Sequence, residues 1–186
     1  MDGPFVKGSP EVRTTVVTKD GADETVISGL ENVTVLKSTG SEFHGFPEVE
    51  YTSLVETTDR IMATVVTARW RYVAPHADDW DVDWDKTYAS VRSIMLDTFA
   101  AVHSLSLQQT LYAMGTAVLD ACAPVAEVRL SMPNRHHFVV DLAPFGLTND
   151  NEVFHADDRP YGLIEGAVLR DGAPDPGPCW DPYPLI

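Results

Sequence analysis

Alternating hydrophobic and polar positions between residues 12 and 72 predict β-strands, because successive side chains of a strand point to opposite faces. The alternation covers three stretches, residues 12–17, 24–35 and 64–72. Asp20-Gly21 is a turn candidate between the first two stretches. No period is visible from Ser41 to Asp59, and irregular segments of that length are more often functional than connective. The pattern therefore predicts a strand-rich beginning that one functional loop interrupts.

After residue 81 the hydrophobic period changes to that of an amphipathic helix. Apolar side chains recur every three or four residues over residues 82–102. Asp83 stands where a capping acid belongs, because a helix leaves its first N–H groups without partners. A second helix is predicted to begin at Ser106, which makes a capping-box pattern with Gln109, and to be closed by Pro124.

The remaining chain predicts two strands and a tail. Strands are expected over residues 128–132 and 138–142, with a turn at Pro133-Asn134 between them. Residues 143–165 have a loop-like pattern, and the Pro- and Gly-rich tail from Ala173 is expected to pack loosely or not at all. This order of elements predicts an α+β fold, an antiparallel β-sheet with two helices packed on one face. The other face lacks a cover within the chain, so we expect an oligomer.

Composition and charge narrow the function classes. The 186 residues carry a formal net charge of −15, which argues against nucleic-acid binding because a phosphate backbone would be repelled. Apolar runs are far shorter than the ~20 residues that span a membrane, and the first residues do not resemble a secretory signal. Cys122 and Cys179 have neither metal-site nor disulfide-framework spacing. With no C-terminal peroxisomal signal, we expect a cytoplasmic protein without a membrane role.

Motifs for metals and nucleotide cofactors are missing from the sequence. It contains no Gly-rich phosphate loop, no H-E-x-x-H, no C-x-x-C and no G-x-S-x-G. His136 and His137 could ligate a metal singly, but neighbouring strand residues point to opposite faces and would not chelate one ion together. We therefore predict no metal site.

Polar residues at the ends of predicted elements are the remaining candidates for chemistry. Gln108 falls in the first turn of the second helix, where free N–H groups favour a carbonyl or an anion. Asn134 and His136 would point to the same side of an extended backbone. Each also has an ordinary structural explanation: an exposed glutamine, a turn-forming asparagine, and a strand histidine bonded to a neighbouring carbonyl.

The long irregular segment contributes two more candidates, an arginine and a phenylalanine. Arg60 precedes a strand and could simply form a surface ion pair with Asp59 or Glu56. Phe43 and its neighbour Phe46 could anchor the loop to a core. Taken singly, none of these residues identifies a function.

Taken together and in chain order, six stretches resemble the urate oxidase family. They are LKSTGSEFHGF (36–46), ETTDR (56–60), SLQQTLY (106–112), SMPNRHHF (131–138), NDNEVF (149–154) and RPYGLI (159–164). The similarity covers about residues 11–170. It therefore predicts an N-terminal extension over residues 1–10, a urate oxidase-like domain over 11–170 and a Pro/Gly-rich tail over 171–186.

The resemblance implies a fold and a reaction. Family members are built from two tunnelling-fold domains per subunit, each an antiparallel sheet backed by two helices, and this chain is similar to the second domain. Four subunits assemble around a tunnel, with each active site between two of them. The implied reaction oxidises urate with molecular oxygen and water to 5-hydroxyisourate and hydrogen peroxide, without a metal or flavin.

Seven positions match residues that the family uses at its site. Those implied to bind the substrate are Phe43 by stacking, Arg60 and Gln108 at the edge of the ring, and Leu54 and Leu107 by lining the pocket, the last through its backbone. His136 matches the histidine of a proton relay, and Asn134 matches the asparagine beside the oxygen or water site. These side chains suit a flat anion, since arginine offers a rigid fork of donors and glutamine offers both a donor and an acceptor.

The family relay also includes a lysine and a threonine from the first domain of a neighbouring subunit. No segment of this sequence resembles that domain, so we expect a separate N-terminal half as a partner within a homo-oligomer, a tetramer by resemblance. Three hypotheses follow: an oxidase completed by that half, a module that binds a planar purine without converting it, and a fragment that only assembles. Urate turnover separates the first hypothesis from the others, and urate binding separates the second from the third.

Overall fold

The computed structural model describes residues 5–6, 11–20, 23–52, 55–73 and 81–182. The strands in these ranges are β1 (Phe5–Val6), β2 (Val12–Asp20), β3 (Asp23–Lys37), β4 (Met62–Tyr72), β5 (Val125–Val139), β6 (Phe154–Asp157) and β7 (Leu163–Leu169). The α-helices are α1 (Trp84–Ala101) and α2 (Leu107–Ala121), which connect β4 to β5. Neither of these helices is long and apolar enough to cross a membrane.

The strands form one antiparallel sheet around three long central strands, β3, β4 and β5. On the outer edge of β3, β2 pairs with its first half and β1 with its end. On the outer edge of β5, β7 pairs with residues 127–133 and β6 with residues 136–139. The pairing of β4 with β5 ends at Ala63 and Arg135. The far end of β5 therefore extends past β4 and pairs with β6.

Both helices pack on one face of the sheet, because apolar side chains alternate along the central strands and along one stripe of each helix. The side chains buried between the two layers include Trp70, Leu130 and Met132 from the sheet, Val91, Met95 and Phe99 from α1, and Leu111, Met114 and Val118 from α2. The predicted α+β fold class is confirmed.

The predicted starts of both helices are also confirmed. Asp83 caps α1 by accepting a backbone N–H at 2.9 Å, and Ser106 caps α2 in the same way at 3.2 Å. The side-chain oxygen of Gln109 in turn accepts the backbone N–H of Leu105, just before the cap, at 2.7 Å. This reciprocal capping fixes where Leu107 and Gln108 enter the first turn of α2.

The predicted turn at Pro133-Asn134 is wrong, because β5 runs through both residues. The Pro133 carbonyl accepts the hydroxyl of Thr64 at 2.9 Å. The Asn134 N–H donates to the carbonyl of Gly162 at 2.8 Å. These bonds come from the strand on one side and the chain before β7 on the other, so they keep the backbone extended against its local turn preference. The first predicted strand and the beginning of the second are parts of one strand of 15 residues, which ends at Val139.

The loop-like interpretation of residues 143–165 is wrong in part. The prediction of a loosely packed tail is also wrong in part. The former range contains β6 and the beginning of β7. In the tail, Trp180 is 6% exposed and Cys179 only 1%, and both pack against Ile27 on the sheet face opposite the helices. The tail therefore covers part of the face that was expected to lack a cover. A buried tryptophan is enough to hold a Pro-rich segment in place.

Candidate active site

A cavity of about 580 Å³ lies where three parts of the fold meet. They are the segment between β3 and β4, the beginning of α2 and the far half of β5. The volume falls within the range of about 300–1,000 Å³ that is typical of small-molecule sites. Six of the seven predicted site residues line it: Phe43, Arg60, Leu107, Gln108, Asn134 and His136. Leu54, the seventh, lies outside the described residues.

The segment between β3 and β4 is cross-linked by its own backbone. Phe43 exchanges two hydrogen bonds with Thr57, of 2.7 and 2.9 Å, and the Arg60 N–H donates to the Ser41 carbonyl at 2.8 Å. The Phe43 ring stacks on Phe46 with a centroid distance of 4.7 Å. The guanidinium carbon of Arg60 lies 5.2 Å from the centroid of the Phe43 ring. An aromatic surface and a cation are thus held together at the cavity wall.

The acids next to Arg60 bind the loop instead of the arginine. Glu56 accepts the N–H of Gly45 at 2.7 Å, and Asp59 accepts the hydroxyl of Thr39 at 3.0 Å. Gly45 has a φ of 70°, a conformation that side-chain-bearing residues rarely adopt. The alternative of an ion pair between Arg60 and one of these acids is not observed in the described part of the chain.

Arg60 forms no ion pair with an acid among the described residues, although Glu56 and Asp59 also line the cavity. Its Nε is buried and has no hydrogen-bond partner among the described residues. Burial lowers the pKa of Arg60 from its ordinary value, yet a guanidinium remains protonated in proteins. Because part of this cation is buried without a hydrogen-bond partner, an anion in the cavity would stabilise the arrangement.

The beginning of α2 contributes polar groups to the opposite wall. The Leu107 side chain is 3% exposed and belongs to the core, so its first-turn N–H is the polar group that it can offer to a ligand. Gln108 is exposed beside it and adds a side-chain amide with both donor and acceptor atoms. Ser106 also lines the cavity while it caps the helix.

The far half of β5 contributes Asn134 and His136, two residues apart and on one side of the strand, as expected. The Nε2 atom of His136 lies 2.9 Å from the carbonyl oxygen of Pro160. Since a carbonyl only accepts, Nε2 carries the proton of this bond, and Nδ1 is left to bind or release one. The ring also stacks on Phe138 with a centroid distance of 5.4 Å. The structural explanation, a carbonyl partner, is therefore observed for one ring nitrogen and leaves the other available.

Several lining residues were not predicted to be site residues. They are Val55, Glu56, Thr57, Asp59, Ile61, Ser106, Arg135, His137, Phe138, Val139, Phe154 and Ile164. Some belong to the recognised motifs, but nothing in their local pattern indicates that they face a cavity. Within the described ranges, no group of three or more His, Cys, Asp or Glu side chains is arranged to hold a metal ion.

A family model and individual relatives of the chain all indicate the same protein family. The uricase family model matches residues 26–165. The uricase of Arthrobacter globiformis is 53% identical over 179 residues, which cover 96% of this chain and 58% of that protein. The uricase of Cyberlindnera jadinii is 38% identical, over 91% of this chain and 59% of that protein. The chain thus spans well under two thirds of the length of these relatives.

Solved structures agree with the sequence comparison. The crystal structure of Arthrobacter globiformis uricase matches with a TM-score of 0.86 and 54% identity, over 92% of this chain and 58% of that chain. A uricase from Bacillus fastidious matches with a TM-score of 0.69 at 23% identity, a likeness of fold alone. Because the family model spans every segment that lines the cavity, from Phe43 to Ile164, the chain belongs to the uricase family.

Proposed function

We propose that this chain supplies the substrate-gripping, C-terminal half of a urate oxidase. The completed enzyme would convert urate, molecular oxygen and water to 5-hydroxyisourate and hydrogen peroxide. The observation that carries the proposal is the partly buried guanidinium of Arg60, whose Nε has no described partner and which lies over the Phe43 ring in a cavity of small-molecule size. Urate is a flat anion at neutral pH, so it matches that wall in both charge and shape. Family membership supports urate over other flat anions.

In this proposal the substrate is held between Arg60 and Gln108. The arginine donates two charge-assisted hydrogen bonds from a planar fork, which an ammonium group could not reproduce. The glutamine, with the first-turn N–H of Leu107, serves an edge of the ring that carries donors and acceptors. Phe43 provides an apolar platform for offset stacking of the purine. Binding at these points fixes the plane of the ring and leaves one face open to oxygen.

His136 is proposed to move protons and Asn134 to hold the oxygen or water beside the ring. Removing a proton from bound urate makes the substrate electron-rich, and electrons then pass from urate to dioxygen, which leaves as hydrogen peroxide. Water supplies the hydroxyl group of 5-hydroxyisourate. The Nδ1 atom of His136 is available for proton transfer because its Nε2 proton is engaged by Pro160. The protein contributes position, charge and proton transfer.

The completing partner is proposed to be an N-terminal half, and the working assembly a homo-oligomer, a tetramer by family resemblance. Exposed apolar side chains surround the far end of β5, beside the cavity, and include Phe138, Val139 and Tyr161. Apolar patches next to a ligand cavity are typical of contact surfaces. The lysine and threonine that the family resemblance implies would come from that partner.

The test is urate consumption, followed by ultraviolet absorbance together with peroxide release. The chain is assayed alone and after mixing with the N-terminal half of the Arthrobacter uricase. We expect turnover in the mixture and little or none from the chain alone. Urate binding without turnover in the mixture would favour the binding-module hypothesis, and no binding at all would favour a fragment that only assembles.

Replacing His136 by glutamine is expected to separate binding from catalysis. Loss of a general acid–base group should lower turnover in the mixture by about 10²–10⁴-fold. Urate affinity should stay within about threefold, because the gripping groups are untouched. His155→Gln is the matched control, because this exposed histidine on β6 does not line the cavity, and it should leave turnover near that of the parent. Equal losses of affinity and turnover in His136→Gln would contradict the proposed role.

A further inference from the structure

Lys37, the last residue of β3, is a buried lysine without a carboxylate partner in the described chain. Its side chain is 6% exposed. The Nζ atom donates to the carbonyl of Val102, at the C-terminal end of α1, at 2.6 Å. It also lies 5.6 Å from the centroid of the Phe99 ring. The carbonyl satisfies one N–H of the ammonium group. The carbonyl and the ring face offer only partial negative charge, which does not balance the full positive charge of Lys37.

The charged neighbour of Lys37 is another cation, Arg60. Burial first, and then repulsion by Arg60, lowers the pKa of Lys37 to about 8. The other groups packed against Lys37 are neutral: Phe99 and Val102 on α1, and Met62 opposite it on β4. No acid contributes to the pKa of Lys37 in the ranges that the structure describes. Neither Lys37 nor the partly buried Arg60 forms an ion pair with a described carboxylate, so both cations are stabilised when an anion enters the cavity.

We propose that Lys37 is a positioning residue for the substrate anion, a second cation behind Arg60 that takes up a proton when urate binds. This inference rests on the proposed function and deepens it. Lys37 does not line the cavity, so it acts through the field at Arg60 and through the end of α1 that it holds in place. Lysine suits this role better than arginine, because a buried ammonium readily changes its protonation state and a guanidinium does not.

The direction of the pH dependence follows from the lowered pKa of Lys37. In the empty site the lysine is charged below about pH 8 and largely neutral above it. A bound anion favours the charged form and raises the pKa, so binding near this pH draws in a proton. Urate affinity should therefore decrease as the pH rises through about 8. The histidines and acids that line the cavity are His136, His137, Glu56 and Asp59, and none of them contributes to the lowered pKa of Lys37.

The test is titration calorimetry of urate binding at about pH 8 in two buffers with different ionisation enthalpies. If the anion raises the pKa by one unit, the parent takes up roughly 0.4 of a proton per site. Lys37→Met should take up none, bind about tenfold more weakly at neutral pH, and lose the pH dependence above it. Lys37→Arg should keep the affinity within a few-fold and lose the proton uptake. Arg13→Met, at an exposed ion pair outside the cavity, should leave the uptake unchanged.

The calorimetry distinguishes a proton-binding role of Lys37 from a purely structural one. Proton uptake by Lys37→Met or Lys37→Arg equal to that of the parent overturns the proposal. Lys37 would then only hold the end of α1 in place. Its replacement would lower the melting temperature and leave the pH dependence of urate binding unchanged. Should Lys37→Met fail to fold, Lys37→Arg alone decides. If the parent chain binds no urate even when it is mixed with the N-terminal half, the proposed function itself is contradicted, which separates the two failures.

Discussion

Replacing Arg60 by methionine is expected to weaken urate binding by about 10²–10⁴-fold. Each hydrogen bond from a charged donor contributes about 1.5–3 kcal/mol, and the fork of this arginine is proposed to donate two. The variant also removes the positive charge that an anion would meet on entering the cavity. The measurement is the dissociation constant of urate by calorimetry, together with the kcat/KM of the completed enzyme.

Arg60→Lys and Arg13→Met serve as controls for this prediction. Arg60→Lys keeps a charge without the fork and should lose about tenfold in affinity. Arg13 forms an exposed ion pair with Asp85 at 2.6 Å, far from the cavity in sequence and fold, so Arg13→Met should bind as the parent does. Because Arg60→Met removes a buried polar atom without a described partner, it should fold at least as stably as the parent. Affinity within threefold of the parent would show that Arg60 does not hold the anion.

Replacing Glu127 by alanine is expected to lower the free energy of unfolding by about 3–5 kcal/mol. Glu127 lies on the sheet face opposite the helices and is 1% exposed. Its carboxylate accepts bonds from Arg129 at 2.8 Å, Trp180 at 3.0 Å and Arg71 at 3.2 Å. Without it, the buried Arg71 loses its ion-pair partner and the tail loses a bond that anchors its tryptophan. Urea denaturation, followed by circular dichroism, measures the change.

Two related variants identify the cause of that loss. Glu31→Ala breaks a more exposed ion pair with Arg69 and should cost at most about 1 kcal/mol. Glu127→Gln keeps an acceptor for Trp180 but removes the charge, so its stability should lie between those of the parent and Glu127→Ala. A Glu127→Ala chain as stable as Glu31→Ala would mean that the buried network contributes no more than a surface pair.

Local periodicity predicted most of the secondary structure, and its failures have a common physical reason. The strands before residue 73 and both helices follow patterns that lie within the elements themselves. The turn predicted at Pro133-Asn134 fails because Thr64 and Gly162, distant in sequence, supply the deciding hydrogen bonds. The tail prediction fails likewise, because Trp180 finds its partners on the sheet. Composition describes what a segment prefers when alone, and distant neighbours decide the rest.

The residues of the candidate site could be predicted from sequence motifs, but not from the properties of single residues. Arg60 has acids beside it in sequence, and only the fold reveals that Gly45 and Thr39 occupy those acids. Lys37 lies inside a recognised stretch, yet no local pattern distinguishes a buried lysine at a strand end from an exposed one. Burial and charge balance are properties of packing, so they became visible only with the structure.

The two ends of β5 differ in how many neighbouring strands they pair with, so they are expected to differ in mobility. Its first part is hydrogen-bonded to strands on both sides, while the part beyond Arg135 is bonded to β6 alone. Amide protons of the first part should exchange with solvent only on global unfolding, whereas those beyond Arg135 should exchange through local opening. Arg60 precedes the well-supported β4, and His136 stands on the extended arm. Under the proposed function, the residue that holds the anion thus stands next to a firmly paired strand, and the residue that moves the proton stands on a segment that is expected to open more easily.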